Sequence, residues 1–165
     1  MDTLFEEDDY YTGPQLVPSM VQRAEHLLGV RLPPAYIDLL YRRNGGVPRD
    51  RCCPTAFETT WAPDHIQISA IRGIGGEWGI EESSGIGSAD MIAEWGYPDV
   101  GVVICDMPSA GHDAVMLDYS ESGPQGEPAV VYVDEERIPR RIAGSFGEFL
   151  ELLVACDSFA DSGGE

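Results

Sequence analysis

Leu32-Pro33-Pro34-Ala35-Tyr36-Ile37-Asp38-Leu39-Leu40-Tyr41-Arg42-Arg43-Asn44-Gly45-Gly46 is a helix with both of its ends written in. Proline suits the first helical turn, where the amide hydrogens have no partner within the helix. Tyr36, Ile37, Leu40 and Tyr41 recur at helical spacing and predict the buried face. Arg42 and Arg43 fall in the last turn, where positive charge meets the negative end of the helix dipole. Asn44-Gly45-Gly46 then tolerates left-handed backbone and stops the helix.

Upstream, Ser19 and Gln22 have the spacing of a capping box. Val21, Ala24 and Leu28 line one face of the helix it would open, Met20 and Leu27 flank them, and Gly29 ends it. Val30-Arg31 leaves almost no connector, so the two helices form a tight pair. Downstream, residues 47–54 read as a loop and residues 55–61, rich in threonine and aromatics, as a short strand. Residues 65–71 alternate, with Ile66, Ile68 and Ala70 on one side, which predicts a half-buried strand. Gly73, Gly75, Gly76 and Gly79 break it into a loop carrying Trp78, and a short helix follows over 88–95. Residues 101–106 are nearly all apolar, as in a central strand. Strands over 114–119 and 129–133 flank a long hairpin connection. Ser145 and Glu148 form a second capping box, opening a helix whose Phe149, Leu150, Leu152 and Leu153 pack on the sheet. The order predicts an α+β fold: a mostly antiparallel sheet of about five to six strands, with two N-terminal helices and one C-terminal helix packed on one side. Residues 19–156 make a single domain. Residues 1–18 are an acidic, flexible lead-in whose Phe5, Tyr10 and Tyr11 can dock on it, and residues 157–165 are an acidic tail.

The 165 residues carry 29 Asp and Glu against 10 Lys and Arg, a formal net charge of −19. That charge repels nucleic-acid backbones and anionic membranes, and no basic run offsets it. It favours a cationic partner. No apolar run is long enough to span a membrane, and the N-terminus, Met1-Asp2-Thr3-Leu4-Phe5-Glu6-Glu7, has no signal-peptide core. Cys52, Cys53, Cys105 and Cys156 show no C-x-x-C pair, and adjacent Cys52 and Cys53 make a poor disulfide unit. The chain is therefore expected in the cytoplasm, with reduced thiols.

Few residues suggest chemistry. Gly111-His112-Asp113, with Asp118, is the densest polar cluster. A metal site needs three or four ligands converging on one point, whereas Asp113 and Asp118 on an extended strand stand roughly 15 Å apart. His112 and Asp113 fit better as turn residues that bond the backbone, and Asp106 and Asp118 as caps at strand ends. Ser83-Ser84-Gly85-Ile86-Gly87-Ser88 lacks the lysine of a phosphate loop. Cys105, inside an apolar strand, reads as a small hydrophobe. Cys52 and Cys53 have only Arg49 and Arg51 nearby to activate a thiolate, and no G-x-S-x-G elbow occurs. No catalytic residue, metal ligand or cofactor is assigned.

The ordered set of fragments resembles the SUKH superfamily, which includes the yeast cell-wall assembly regulator and many bacterial immunity proteins. The matching pieces are Ala24-Glu25-His26-Leu27-Leu28-Gly29-Val30-Arg31-Leu32-Pro33, the helix end Asn44-Gly45-Gly46, Gly111-His112-Asp113-Ala114-Val115-Met116-Leu117-Asp118-Tyr119, Gly123-Pro124-Gln125-Gly126-Glu127-Pro128, Val130-Val131-Tyr132-Val133-Asp134, and Ile142-Ala143-Gly144-Ser145-Phe146-Gly147-Glu148-Phe149. The resemblance implies a non-catalytic binding function: neutralisation of a toxin domain, often a nuclease, or a regulatory interaction scaffold. Charge and loop position single out Trp78, Glu81, Glu82, Asp106, Asp113 and Asp118 as partner-binding residues for a cationic toxin domain. A tryptophan ringed by acids is a reasonable hot spot for such a partner. A metal-dependent hydrolase using His112, Asp113 and Asp118 is the remaining alternative.

Overall fold

Two prolines set the first helix pair. In the computed structural model, which describes residues 5–7, 11–59, 62–76, 79–81, 87–107 and 113–156, α1 (Pro18–Leu28) begins on Pro18 after the extended Val17. Ser19 is thus already inside the helix and caps nothing, contrary to the capping-box expectation, because proline occupies the position its own fixed φ favours. Gly29 closes α1 at φ 74°, donating its amide to the Glu25 carbonyl at 2.9 Å. The Glu25 carboxylate accepts from the Leu32 amide at 2.9 Å and so ties α1 to the connector. α2 (Pro34–Arg42) buries Tyr36, Leu39 and Leu40. Tyr41, expected on that face, is 43% exposed. Five helical steps rotate it well away from Tyr36, and Leu39 takes the inward place.

The main sheet is an antiparallel meander of five strands in sequence order: β3 (Ala70–Ile71), β4 (Gly101–Asp106), β5 (Ala114–Asp118), β6 (Ala129–Val133) and β7 (Pro139–Ala143). β1 (Cys52–Pro54) and β2 (His65–Gln67) form a separate pair. The 65–71 strand is therefore two strands. The Ile68 amide still donates to Arg51, whereas Ser69 already donates to Asp106, so the chain changes sheets between them. Residues 55–59 are not a strand. The Thr55 hydroxyl donates to the Phe57 carbonyl, and the Thr59 hydroxyl to Ala62 and His65, so threonine side chains occupy backbone groups that a ladder would need. Residues 60–61 lie outside the described set. β7 escaped the sequence reading because it is a polar edge strand opening on proline, and such strands lack the apolar alternation of inner ones.

Both faces of the sheet are covered. Val102, Ile104, Val115, Leu117, Val130 and Tyr132 face α1, α2 and α4 (Phe146–Leu152). Val103, Ala114, Met116, Val131 and Val133 pack under Met91 of α3 (Ser88–Trp95), on the opposite side from the other three helices. Two buried faces explain why β4, β5 and β6 read as continuous apolar runs. At α4 the Ser145 hydroxyl accepts from the Glu148 amide at 3.2 Å, while the Glu148 carboxylate reaches back one residue further than a capping box requires, to the Gly144 amide at 2.6 Å. Tyr36 meets Phe146 edge-on at 5.1 Å between ring centres, a pair worth about 0.5–1.5 kcal/mol beyond its buried area.

The reduced-thiol expectation fails at one pair. Cys52 and Cys156 form a disulfide across 104 residues. Sequence adjacency had drawn attention to Cys52 with Cys53, but neighbouring residues of a strand point to opposite sides. Cys52 instead exchanges both backbone hydrogen bonds with Val154 just after α4, which brings Cys156 alongside. Cys53 and Cys105 are free and buried. The lead-in touches the body where it is described: Phe5 is 3% exposed and bridges Pro48. No helix of the described residues is long and apolar enough to cross a membrane.

Candidate functional site

Asn44 does more than end α2. Its side-chain amide donates to the carbonyls of Pro14 at 2.6 Å and Ile74 at 2.7 Å, its side-chain oxygen accepts from the Ile74 amide at 2.8 Å, and its own carbonyl accepts from Gly13. Gly45, at φ 90°, and Gly46 then let the backbone run beside β3, where Gly46 and Ile71 exchange hydrogen bonds. A Cβ on Gly73 would overlap the Asn44 carbonyl. The Tyr36 hydroxyl donates to the Arg72 carbonyl at 2.6 Å. One asparagine, three glycines and one tyrosine therefore set the course of the chain through 72–76, toward the loop expected to carry partner-binding residues.

Glu81, at the far side of that loop, is buried. Its carboxylate accepts from the Gly75 amide at 3.1 Å and meets Arg23 of α1 at 3.4 Å, with the Glu81 side chain 1% exposed. Trp78 and Glu82 lie outside the described residues.

Asp106 and Asp113 flank the β4–β5 connection at one end of the sheet. Asp106 accepts from Arg72 Nε at 3.0 Å and Nη2 at 2.9 Å, and the arginine side chain is only 4% exposed. Asp113 is buried and accepts from the Tyr132 hydroxyl at 2.8 Å. Buried Tyr97 lies within electrostatic reach of both, with the Arg137 guanidinium 4.1 Å above its ring. Burial chiefly pushes the Tyr97 phenol up to about 12; Arg137 opposes that rise and the two aspartates add to it. Such internal pairing is how buried charge is tolerated at all. His112 lies outside the described residues.

Asp118 sits at the other end of β5, opposite Gly101, and accepts from the Ser120 amide at 2.8 Å to open the β5–β6 hairpin. It is part-exposed, as Asp106 is. The structure thus brings Asp106 and Asp113 to one end of the sheet, and places Glu81 against α1 and Asp118 at the opposite end. Among the described residues no three His, Cys, Asp or Glu side chains converge as a metal site would require. The thiols carry little nucleophilic character: burial pushes Cys53 up to about 12 and Cys105 well above its ordinary value. Arg72 and Asn44 escaped the sequence reading as organising residues. The only signal of their role was the Asn-Gly-Gly triplet, which also satisfies a plain helix stop.

An antiparallel meander with three helices on one face and one on the other, carrying internally paired carboxylates, is an α+β domain. The chain belongs to the SMI1 / KNR4 family (SUKH-1), which matches residues 17–152, from the residue before α1 to the last residue of α4. No curated protein and no solved structure matches the chain.

Proposed function

We propose that this chain is a non-catalytic protein-binding domain that neutralises a cationic toxin domain of the nuclease kind in the cytoplasm. The observation that carries the reading is a net charge of −19 on a SUKH-1 fold. A nuclease must be basic where it holds phosphates, and an acidic, prefolded surface can occupy that ground. Opposite charge speeds encounter, to about 10⁸ M⁻¹s⁻¹ or more at low salt. The Debye length in a cell is only about 8 Å, so contacts at short range must supply the rest of the affinity.

Trp78, Glu82 and Asp118 are the proposed contact residues. Glu81, Asp106 and Asp113, engaged as they are with Gly75, Arg72 and Tyr132, are proposed to contribute by holding the segments that present the surface. The Cys52–Cys156 disulfide and the paired backbone bonds between Cys52 and Val154 together hold the C-terminal segment in place.

Affinity capture from the native source, followed by salt titration of the complex, tests the reading. The expected result is a basic partner, encoded beside this chain, that is released steeply as salt rises. Capture indifferent to salt counts against charge mimicry. A captured partner that is harmless to the host supports the regulatory alternative, which rests on the same family membership. A turnover reaction lost on replacing His112 or Asp113, with the fold intact, would end the non-catalytic reading.

A further inference from the structure

α3 crosses only part of the second face of the sheet. It starts over β4, where the Ser88 hydroxyl accepts from the Val103 amide at 2.8 Å, and ends at the β6–β7 turn, where the Trp95 carbonyl accepts from Arg137 Nε at 3.1 Å. Toward the β5–β6 hairpin the same face stays open as a trough of about 420 Å³. Ala129 and Pro139 contribute apolar surface to it, next to Val131, which is already buried in the core beneath α3. Asp118, Glu121 and Glu127 line it, against the single cation Arg141. Arg141 meets Glu121 at 3.8 Å with the two side chains 58% and 88% exposed, a solvent-screened pair that an incoming charge can displace.

We infer that this trough is the docking groove for a basic, amphipathic segment of the protein partner, whose apolar residue packs on Ala129 and Pro139 while its cations meet Asp118, Glu121 and Glu127. The inference rests on the protein-binding reading above and names its surface. Charge decides the occupant. The charge of the chain's own terminal segments is wrong for it: residues 157–165 bring Asp157, Asp161 and Glu165 and no Lys or Arg, and residues 1–4 and 8–10 bring Asp2, Asp8 and Asp9. A second copy arrives with the same net charge of −19 and is repelled. A cationic polypeptide is attracted at long range, and Ala129 and Pro139 give it apolar surface to cover at short range.

The test uses an amphipathic Lys/Leu peptide and its Glu/Leu counterpart, titrated against the full chain by calorimetry and by amide-resonance perturbation. One variant combines Asp118→Asn, Glu121→Gln and Glu127→Gln; asparagine keeps the oxygen that accepts from Ser120. A charge-matched control combines Asp38→Asn, Glu94→Gln and Glu151→Gln, all exposed and outside the trough. The expected result is selective binding of the Lys/Leu peptide, with perturbations at Ala129, Val131 and Gly144. The trough variant should lose about tenfold in affinity and the control less than about twofold, with thermal melts of both near wild type. Arg141→Gln should tighten binding. No binding of the Lys/Leu peptide, equal losses in the two triple variants, or perturbations away from the trough overturn the assignment. Salt-sensitive capture of the native partner that survives the trough variant removes this groove and leaves the protein-binding reading standing; that reading fails only if capture itself does.

Discussion

The side chain of Asn44 and the backbone of Ile74 are joined by two hydrogen bonds, one in each direction, across thirty residues of sequence. The asparagine amide imitates a strand neighbour, supplying both the donor and the acceptor that Ile74 needs. The same side chain also holds the Pro14 carbonyl. Three segments that share no regular ladder are thereby fixed by one residue at the end of α2.

Replacing Asn44 with alanine removes three hydrogen bonds and leaves both polar groups of Ile74 without these partners in the interior. A buried group left unpaired costs about 1–3 kcal/mol, so Asn44→Ala should destabilise by about 2–4 kcal/mol in urea unfolding. Asn44→Asp should be no better, since a carboxylate cannot donate to the Pro14 and Ile74 carbonyls. A loss below about 1 kcal/mol would show that the clamp is dispensable.

Asp106 separates a folding role from a binding role. Asp106→Ala leaves the buried Arg72 guanidinium without its carboxylate. The expected loss is about 2–3 kcal/mol, below the full figure for a wholly buried pair because Asp106 is part-exposed. Asp106→Asn keeps an acceptor and should lose about half as much. If both variants melt like the wild type but fail to hold a captured partner, Asp106 is a contact residue instead.

The disulfide predicts a redox-dependent melting temperature. Closing so long a loop restricts the unfolded chain, and removing the bridge should cost about 2–4 kcal/mol. The reduced chain and Cys52→Ala/Cys156→Ala should melt alike and still fold, held by the two Cys52–Val154 backbone bonds. Thiol titration of the native oxidised chain should find almost no reactive sulfur, because Cys53 and Cys105 are buried. Prompt labelling of two thiols without denaturant would contradict that burial.

Alkaline pH should unfold the protein. Burial raises Cys53 and Tyr97 to about 12, from ordinary values of 9.0 and 10.0, and raises Cys105, Tyr36 and Tyr119 as well. Each group holds its proton more tightly folded than unfolded. Their contribution is therefore complete below the unfolded values and drains away as pH rises toward the folded ones. The melting temperature should fall steadily above pH 9, and Tyr97→Phe should flatten part of the slope. A melting temperature constant from pH 9 to about 12 would contradict the burial of these groups.

Much of the fold is legible along the chain. Residues 101–106 and 129–133 coincide with β4 and β6, and residues 88–95 with α3, because apolar runs and helical spacing act over a few residues. β7 is not legible. Pro139, Arg140 and Arg141 look like a loop until β6 supplies a partner, since an edge strand is defined by what pairs with it. The fate of the acidic candidates is equally hidden. Asp113 and Asp118 differ in nothing local that says one bonds a buried tyrosine while the other opens an exposed hairpin.

What the amino-acid sequence determined by itself is the helices and the inner strands, the family they belong to, and the sign and size of the charge. Those follow from properties each residue carries wherever it sits. Only the tertiary structure decided that Cys52 finds Cys156, that Asn44 clasps Ile74, that Arg72 neutralises Asp106, and that α3 leaves Val131 beside an open acidic trough. Each of these joins residues far apart in the chain, and such a contact exists only once packing has brought the two segments within a few ångströms of each other.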